Sequence, residues 1–248
     1  MSIPIWKTSR FYSVLAWTIV WTVVATTAQT RPWSVFRRCL STTHASSLTR
    51  FIRTVLILPW AVPAFVTILV FAAMFNDKFG AINREVLSLF GVSIPWMTDP
   101  FWTKVALILI QTWLGFPFVF ALFTGVLQSI SRDWYEAADI DGATRWQKFK
   151  SITLPHVLYA TAPLLIMQYA GNFNNFNIIY LFNDGGPAVR GQNAGGTDIL
   201  ISWVYDLTFT TNNYNMAAAI SLIIGLIVSG FAIYQFRRTR SFKEEGNI

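Results

Sequence analysis

Cysteine occurs once in the 248 residues and histidine only twice. One thiol excludes a disulfide framework or a cysteine-rich zinc site. His44 and His156 lie far apart in the chain, which argues against a histidine-rich metal centre. Charge is scarce as well: 12% of residues are charged, against roughly 25% in an ordinary soluble domain. No G-x-x-x-x-G-K-[S/T] phosphate loop occurs, so this chain should not bind ATP itself; no cofactor of its own is expected. What is abundant is apolar surface, at 54% of residues with a mean hydropathy of +0.45. That balance excludes intrinsic disorder, a collagen-like fibre and most soluble enzymes. The net charge of +7 would suit nucleic acid in a soluble chain. In so apolar a chain it fits basic loops beside a bilayer, and no nucleic-acid partner is expected.

Five long apolar runs stand out, near Phe11–Ala28, Thr54–Phe75, Phe101–Leu127, Leu154–Phe182 and Met216–Phe236. Each approaches or exceeds the roughly 20 residues that carry a helix across the hydrocarbon core. Strict alternation in strands of about 10 residues, the mark of a membrane barrel, is absent. The expectation is an all-α integral membrane protein of about five spanning helices. Thirteen of the nineteen basic residues fall in three segments: after the first run, after the third, and in the tail. Those segments should face the cytoplasm. The N-terminus, with Lys7 and Arg10, then lies outside, which would make sense if helices preceding it were missing. Pro59, Pro63, Pro117 and Pro163 interrupt the runs and predict kinks that suit a moving or cavity-lining bundle.

The fourth run carries four Asn and one Gln between Gln168 and Asn177. A buried amide without a partner costs roughly 2–7 kcal/mol. Helical spacing puts Gln168, Asn172 and Asn175 on one face, with Tyr169, Phe173, Phe176 and Tyr180 as an adjacent aromatic stripe. Amides beside aromatic rings suit a sugar: hydroxyls take the hydrogen bonds and C–H faces lie on the rings. They also suit polar contacts between helices, worth only about 0.6 kcal/mol each. In the third run, Gln111, Gly115 and Phe118 have the same spacing, and Gly115 would open space on that face. On the second run, Trp60 and Ala64 are one turn apart.

Between the third and fourth runs the chain reads Glu136-Ala137-Ala138, Gly142, then Ile152, Leu154 and Pro155. Asp133 and Glu136 look like a capped helix start. Gly142 can end that helix in the left-handed conformation. A second short helix with Trp146 and Phe149 completes a compact knob with a small Ala face.

This EAA…G…I-LP pattern resembles the signature loop of permease subunits of ABC importers. Leu58-Pro59-Trp60-Ala61-Val62-Pro63, Thr112-Trp113-Leu114-Gly115, Asn172–Phe176 and Asn183-Asp184-Gly185-Gly186-Pro187 resemble the maltose and maltodextrin permease subunits of the MalF type. The likeness runs from about Arg50 to Arg240. It implies a type I ABC importer transmembrane bundle over residues 50–240, after an N-terminal helix and atypical segment (1–49) and before a cytoplasmic tail (241–248). By resemblance, Glu136, Ala137, Ala138, Gly142, Leu154 and Pro155 form the coupling helix that engages an ATP-hydrolysing subunit. Asn172, Asn175 and Gly115 match sugar-pocket positions. Gln168, Gln111, Phe118 and Trp60 stand where family members have Ser, Asn, Tyr and Tyr, so the pocket is expected to be relined.

The implied partners are two ATP-binding subunits, a second permease subunit and an extracytoplasmic sugar-binding protein, all at a bacterial cytoplasmic membrane. Another neutral sugar or a polyol is the alternative cargo. A phosphorylated solute would want Arg or Lys in the spans, where Lys104 stands alone near an outer edge. A membrane enzyme would need paired acids or a metal site, and a stand-alone channel would not need the coupling loop. The likeness fails at the N-terminus, where the family has extra helices, and near Thr30–Ser47, which reads like an out-of-frame segment in a truncated frame. Cys39 and His44 therefore receive no role.

Overall fold

The computed structural model describes residues 9–30, 51, 54–190 and 192–238, and no strand occurs among them. The described residues form α1 (Ser9–Thr30), α2 (Ala64–Met74), α3 (Pro100–Ser129), α4 (Arg132–Ile140), α5 (Arg145–Lys148), α6 (Leu154–Phe173), α7 (Phe176–Asn183), α8 (Leu200–Phe209) and α9 (Tyr214–Arg238), with a further helical stretch at Thr54–Ala61. Cys39, His44 and nearly all of the atypical segment lie outside the described residues.

Three stretches are long and apolar enough to cross a membrane unaided: Arg10–Thr30, Pro100–Ser129 and Tyr214–Tyr234. The other two expected spans are not single rods. Thr54–Ala61 and Ala64–Met74 meet at a bend of 97°. The cause is local. Val62 precedes Pro63 and is driven to extended backbone, with φ −105° and ψ 132°. The fourth run divides into α6 and α7 at Asn174–Asn175, where Asn175 has φ −80° and ψ 76°. Asparagine is a weak helix former, which lowers the cost of a break there. Pro117 and Pro163, by contrast, sit inside continuous helices. Pro100 and Pro155 occupy first turns, where a missing N–H costs nothing.

Helix α1 packs against both α3 and α6, α2 against α7, and α8 against α9. Trp21, Ala25, Ala106, Leu107, Ile110, Ile178 and Ile179 meet in a core joining α1, α3 and α7. Trp203, Leu207 and Ile220 join α8 to α9. On α9, Leu222 is 71% and Leu226 74% exposed. Such large exposed apolar side chains suit contact with lipid or another apolar surface, not water. Inside α1, Thr18, Thr22 and Thr26 each donate their hydroxyl one turn back, to Val14, Thr18 and Thr22 carbonyls at 2.7–2.8 Å. This keeps a polar stripe tolerable in an apolar bundle.

The connection from α7 to α8 is pinned at one end of the bundle. Asp184 and Gly185 take left-handed φ of 47° and 69°. A Cβ on Gly185 would overlap the Asp198 carboxylate. That carboxylate accepts from Gly195 N at 2.6 Å and Ser202 Oγ at 2.8 Å. Arg10 donates to the Ala194 and Gly195 carbonyls, and Trp17 Nε1 donates to Thr197 O at 2.9 Å. Burial raises the Asp198 carboxyl above its ordinary range, against its hydrogen bonds and Arg10, which act the other way. Asp206 is pushed up to about 7 by burial, then by Asp198 and Asp184.

Candidate functional site

The break between α6 and α7 opens a cavity of about 430 Å³ lined by Gln111, Gln168, Gly171, Asn172, Asn174, Asn175, Phe176 and Asn177. No lining residue is charged, and six of the eight are amides. The structure thus brings together four of the seven residues that the sequence assigned to substrate: Gln111, Gln168, Asn172 and Asn175. Asn175 lies past the end of α6, so it reaches the cavity through the break and not by one continuous helical face.

Behind the cavity wall runs a continuous hydrogen-bonded relay. Gln168 Nε2 donates to Gln29 Oε1 at 2.8 Å, and Gln29 Nε2 donates to the Gln111 carbonyl at 3.1 Å. Gln111 Nε2 donates to Asn172 Oδ1 at 2.8 Å, and Asn172 Nδ2 donates to Thr26 Oγ1 at 2.8 Å. Trp21 Nε1 donates to the Asn172 carbonyl at 2.9 Å, next to the break. Both side-chain ends of the buried Asn172 are therefore satisfied within the protein. The side chains of Asn174, Asn175 and Asn177 make no hydrogen bond to the described residues.

Three expected pocket residues are placed elsewhere. Gly115 does not line the cavity: a Cβ there would overlap the Gln29 amide, so its space is taken by Gln29. Trp60 and Phe118 are not cavity walls either; they pack on one another with centroids 6.1 Å apart. The expected aromatic stripe is divided by the same helix break. Tyr169 and Phe173 line an apolar groove with residues of α1 and α9. Phe176 and Tyr180 instead stack at 5.0 Å and continue through Tyr205 to Phe209 on α8, each neighbouring pair 4.8–4.9 Å apart. Gln29, Thr26 and Trp21 were missed by sequence reasoning. Their signal was available: Thr18, Thr22, Thr26 and Gln29 recur at helical spacing along one face of α1.

The knob forms as the sequence predicted, with one correction. Ser131, not Asp133, caps α4, accepting from Asp133 N at 3.2 Å. Asp133 is instead the acidic residue of the first turn. Gly142 has φ +72° and ends the helix, and a Cβ placed on it would meet nothing within 4 Å. Thr144 and Gln147 form a capping box that starts α5. Lys148 pairs with Asp139, and Tyr135 shares a hydrogen bond with Thr153 at 2.8 Å, which ties α4 to the start of α6. Glu136 and Ala137 are exposed and Ala138 half-buried; Leu154 is half-buried and Pro155 exposed. Ile140 is 87% and Trp146 60% exposed, so the knob presents apolar side chains outward.

Comparison with known proteins agrees with this architecture. Residues 40–241 match the family model described as binding-protein-dependent transport system inner membrane component. The galactooligosaccharides transport system permease protein GanP of Bacillus subtilis (strain 168) is 55% identical over 245 residues, covering 98% of this chain and 58% of that protein. The maltodextrin transport system permease protein MdxF of the same organism is 51% identical, covering 95% and 56%. The maltose/maltodextrin transport system permease protein MalF of Escherichia coli (strain K12) is 39% identical, covering 93% and 46%. The chain thus spans about half the length of the curated relatives it matches. A chain from the crystal structure of a bacterial ABC transporter involved in import of the acidic polysaccharide alginate shares the fold, with TM-score 0.80 at 19% identity, covering 96% of this chain and 81% of that one. The relatives are transport permeases, not enzymes, and the chain belongs to the binding-protein-dependent transport system inner membrane components, multi-pass proteins of the cytoplasmic membrane.

Proposed function

We propose that this chain is the permease subunit of an ATP-driven ABC importer that passes short neutral oligosaccharides. The observation that carries the reading is the uncharged, amide-walled cavity at the α6–α7 break, with Phe176 at its edge. Sugar hydroxyls would take hydrogen bonds from Asn174, Asn175 and Asn177, and a sugar face would lie on Phe176. Wall residues without charge favour a neutral cargo, since an anion would need a cation in the wall. The cargo class is wider than the maltose or maltodextrin that the sequence suggested, because relatives at 55% and 51% identity carry galactooligosaccharides and maltodextrin in their names.

In this reading the chain works beside a second permease subunit and two ATP-binding subunits, and ATP is bound there. An extracytoplasmic sugar-binding protein delivers the cargo, chiefly to the loops of Asn183–Asn215. Closure of the ATP-binding pair moves the knob of Glu136–Pro155, and the helices alternate between outward and inward access. Coupling requires each ligand to bind one state better than the other. The knob supports this assignment through its protruding Ile140 and Trp146 and its tie to α6, the helix that carries Gln168 and Asn172.

The test is uptake into vesicles by the assembled transporter with labelled galactooligosaccharide, competed by maltodextrin and by a sugar phosphate. Competition by neutral oligosaccharides alone supports the reading. Competition by the phosphate alone removes it.

A further inference from the structure

We propose that Gln29 is a positioning residue of the cavity, which fixes the Gln168 amide so that its carbonyl oxygen, not its NH2, faces the cargo. The inference rests on the oligosaccharide reading above and deepens it.

Gln29 is 1% exposed and does not itself line the cavity. It projects from α1 into the socket left by Gly115 on α3, where α1 also packs against α6. Its two ends are both used and they differ chemically. Oε1 accepts from Gln168 Nε2 at 2.8 Å, and Nε2 donates to the Gln111 carbonyl at 3.1 Å. A backbone carbonyl can only accept, so the end of Gln29 facing Gln111 must be its NH2. Its oxygen is then turned to Gln168, which must answer with its own NH2. The remaining Gln168 oxygen is left for the cavity. Gln111 is set by the same logic, since its Nε2 is given to Asn172 Oδ1. The two glutamine oxygens then accept from hydroxyl donors, while Asn174, Asn175 and Asn177, which line the same cavity, are free to donate or accept. A cargo rich in O–H donors is favoured over one that offers only acceptors. Supporting side chains that lock a binding group in one orientation act in this way.

Gln29→Met keeps the volume that fills the Gly115 socket and removes both polar ends. In the complete transporter reconstituted with its ATP-binding subunits, Gln29→Met should raise the KM for oligosaccharide uptake about tenfold, with maximal rate and amount of assembled complex within about twofold of the parent. Gln168→Met should raise KM similarly, and Gln29→Met with Gln168→Met should be no worse than Gln168→Met alone, since one acts through the other. Additive effects of the two substitutions would overturn the proposal. So would an unchanged KM in Gln29→Met while Gln168→Met raises it, or a loss of assembled complex with KM unchanged. If Gln168→Met and Asn175→Ala both leave KM unchanged, the oligosaccharide reading fails and takes the proposal with it.

Discussion

Asn175 is the side chain on which the cargo assignment can be probed with least collateral change. It is half-buried, lines the cavity and makes no side-chain hydrogen bond to the described residues. Asn175→Ala should therefore reduce oligosaccharide uptake by about tenfold or more while leaving the assembled complex intact, read by transport and by co-purification. Asn172 is a different kind of residue. Replacing it by Ala strands Gln111 Nε2 in the bundle, and a buried unpaired donor costs about 1–3 kcal/mol. Loss of thermal stability should accompany its loss of uptake. Asp206 gives a pH signature. Its carboxyl is raised from 3.8 to about 7 in the folded protein. A raised carboxyl favours the folded state while protonated, so this contribution is full below pH 3.8 and is lost as pH rises through about 7. Asp206→Asn should flatten the fall in thermal stability over that window; an unchanged slope would assign the pH dependence to other groups.

At the scale of the element, the knob makes the sharpest prediction. Gly142 has open space around it but φ of +72°, so conformation and not volume limits substitution. Left-handed backbone costs roughly 1–2 kcal/mol for most residues and less for Asn. Co-purification of the ATP-binding subunits should fall in the order Gly, Asn, Ala, Val at position 142. An order that follows side-chain size alone would contradict the turn geometry. Lys148→Met should matter little, because the Asp139 carboxylate is 65% exposed and such pairs are worth about 0–1 kcal/mol.

The knob was legible in the sequence because it is local: its caps, its glycine and its periodicity all lie within one short stretch. The amide cluster of the fourth run was legible for the same reason. What could not be read was the partner of each amide. Gln29 meets Gln111 and Gln168 across 82 and 139 residues of chain. Pro63 signalled the corner after Val62, which the 97° bend realises, whereas Asn175 was read on one helical face with Asn172 although the helix breaks between them. Trp60 was drawn into the pocket by resemblance and Phe118 by resemblance and helical spacing, neither of which records what covers a face.

For the whole molecule, the family membership and the fold place a helical bundle in the cytoplasmic membrane. In the function proposed for it, a neutral cavity lies in the path of the cargo and a knob receives work from outside the chain. The two are joined through α6, which begins beside the knob at Leu154 and ends at the cavity at Phe173. The most direct measurement is uptake of labelled oligosaccharide into vesicles containing this chain with its permease partner and binding protein, in the presence of ATP, with and without the ATP-binding subunits. Uptake that appears only when those subunits are present is the predicted result. Equal uptake in their absence would contradict it.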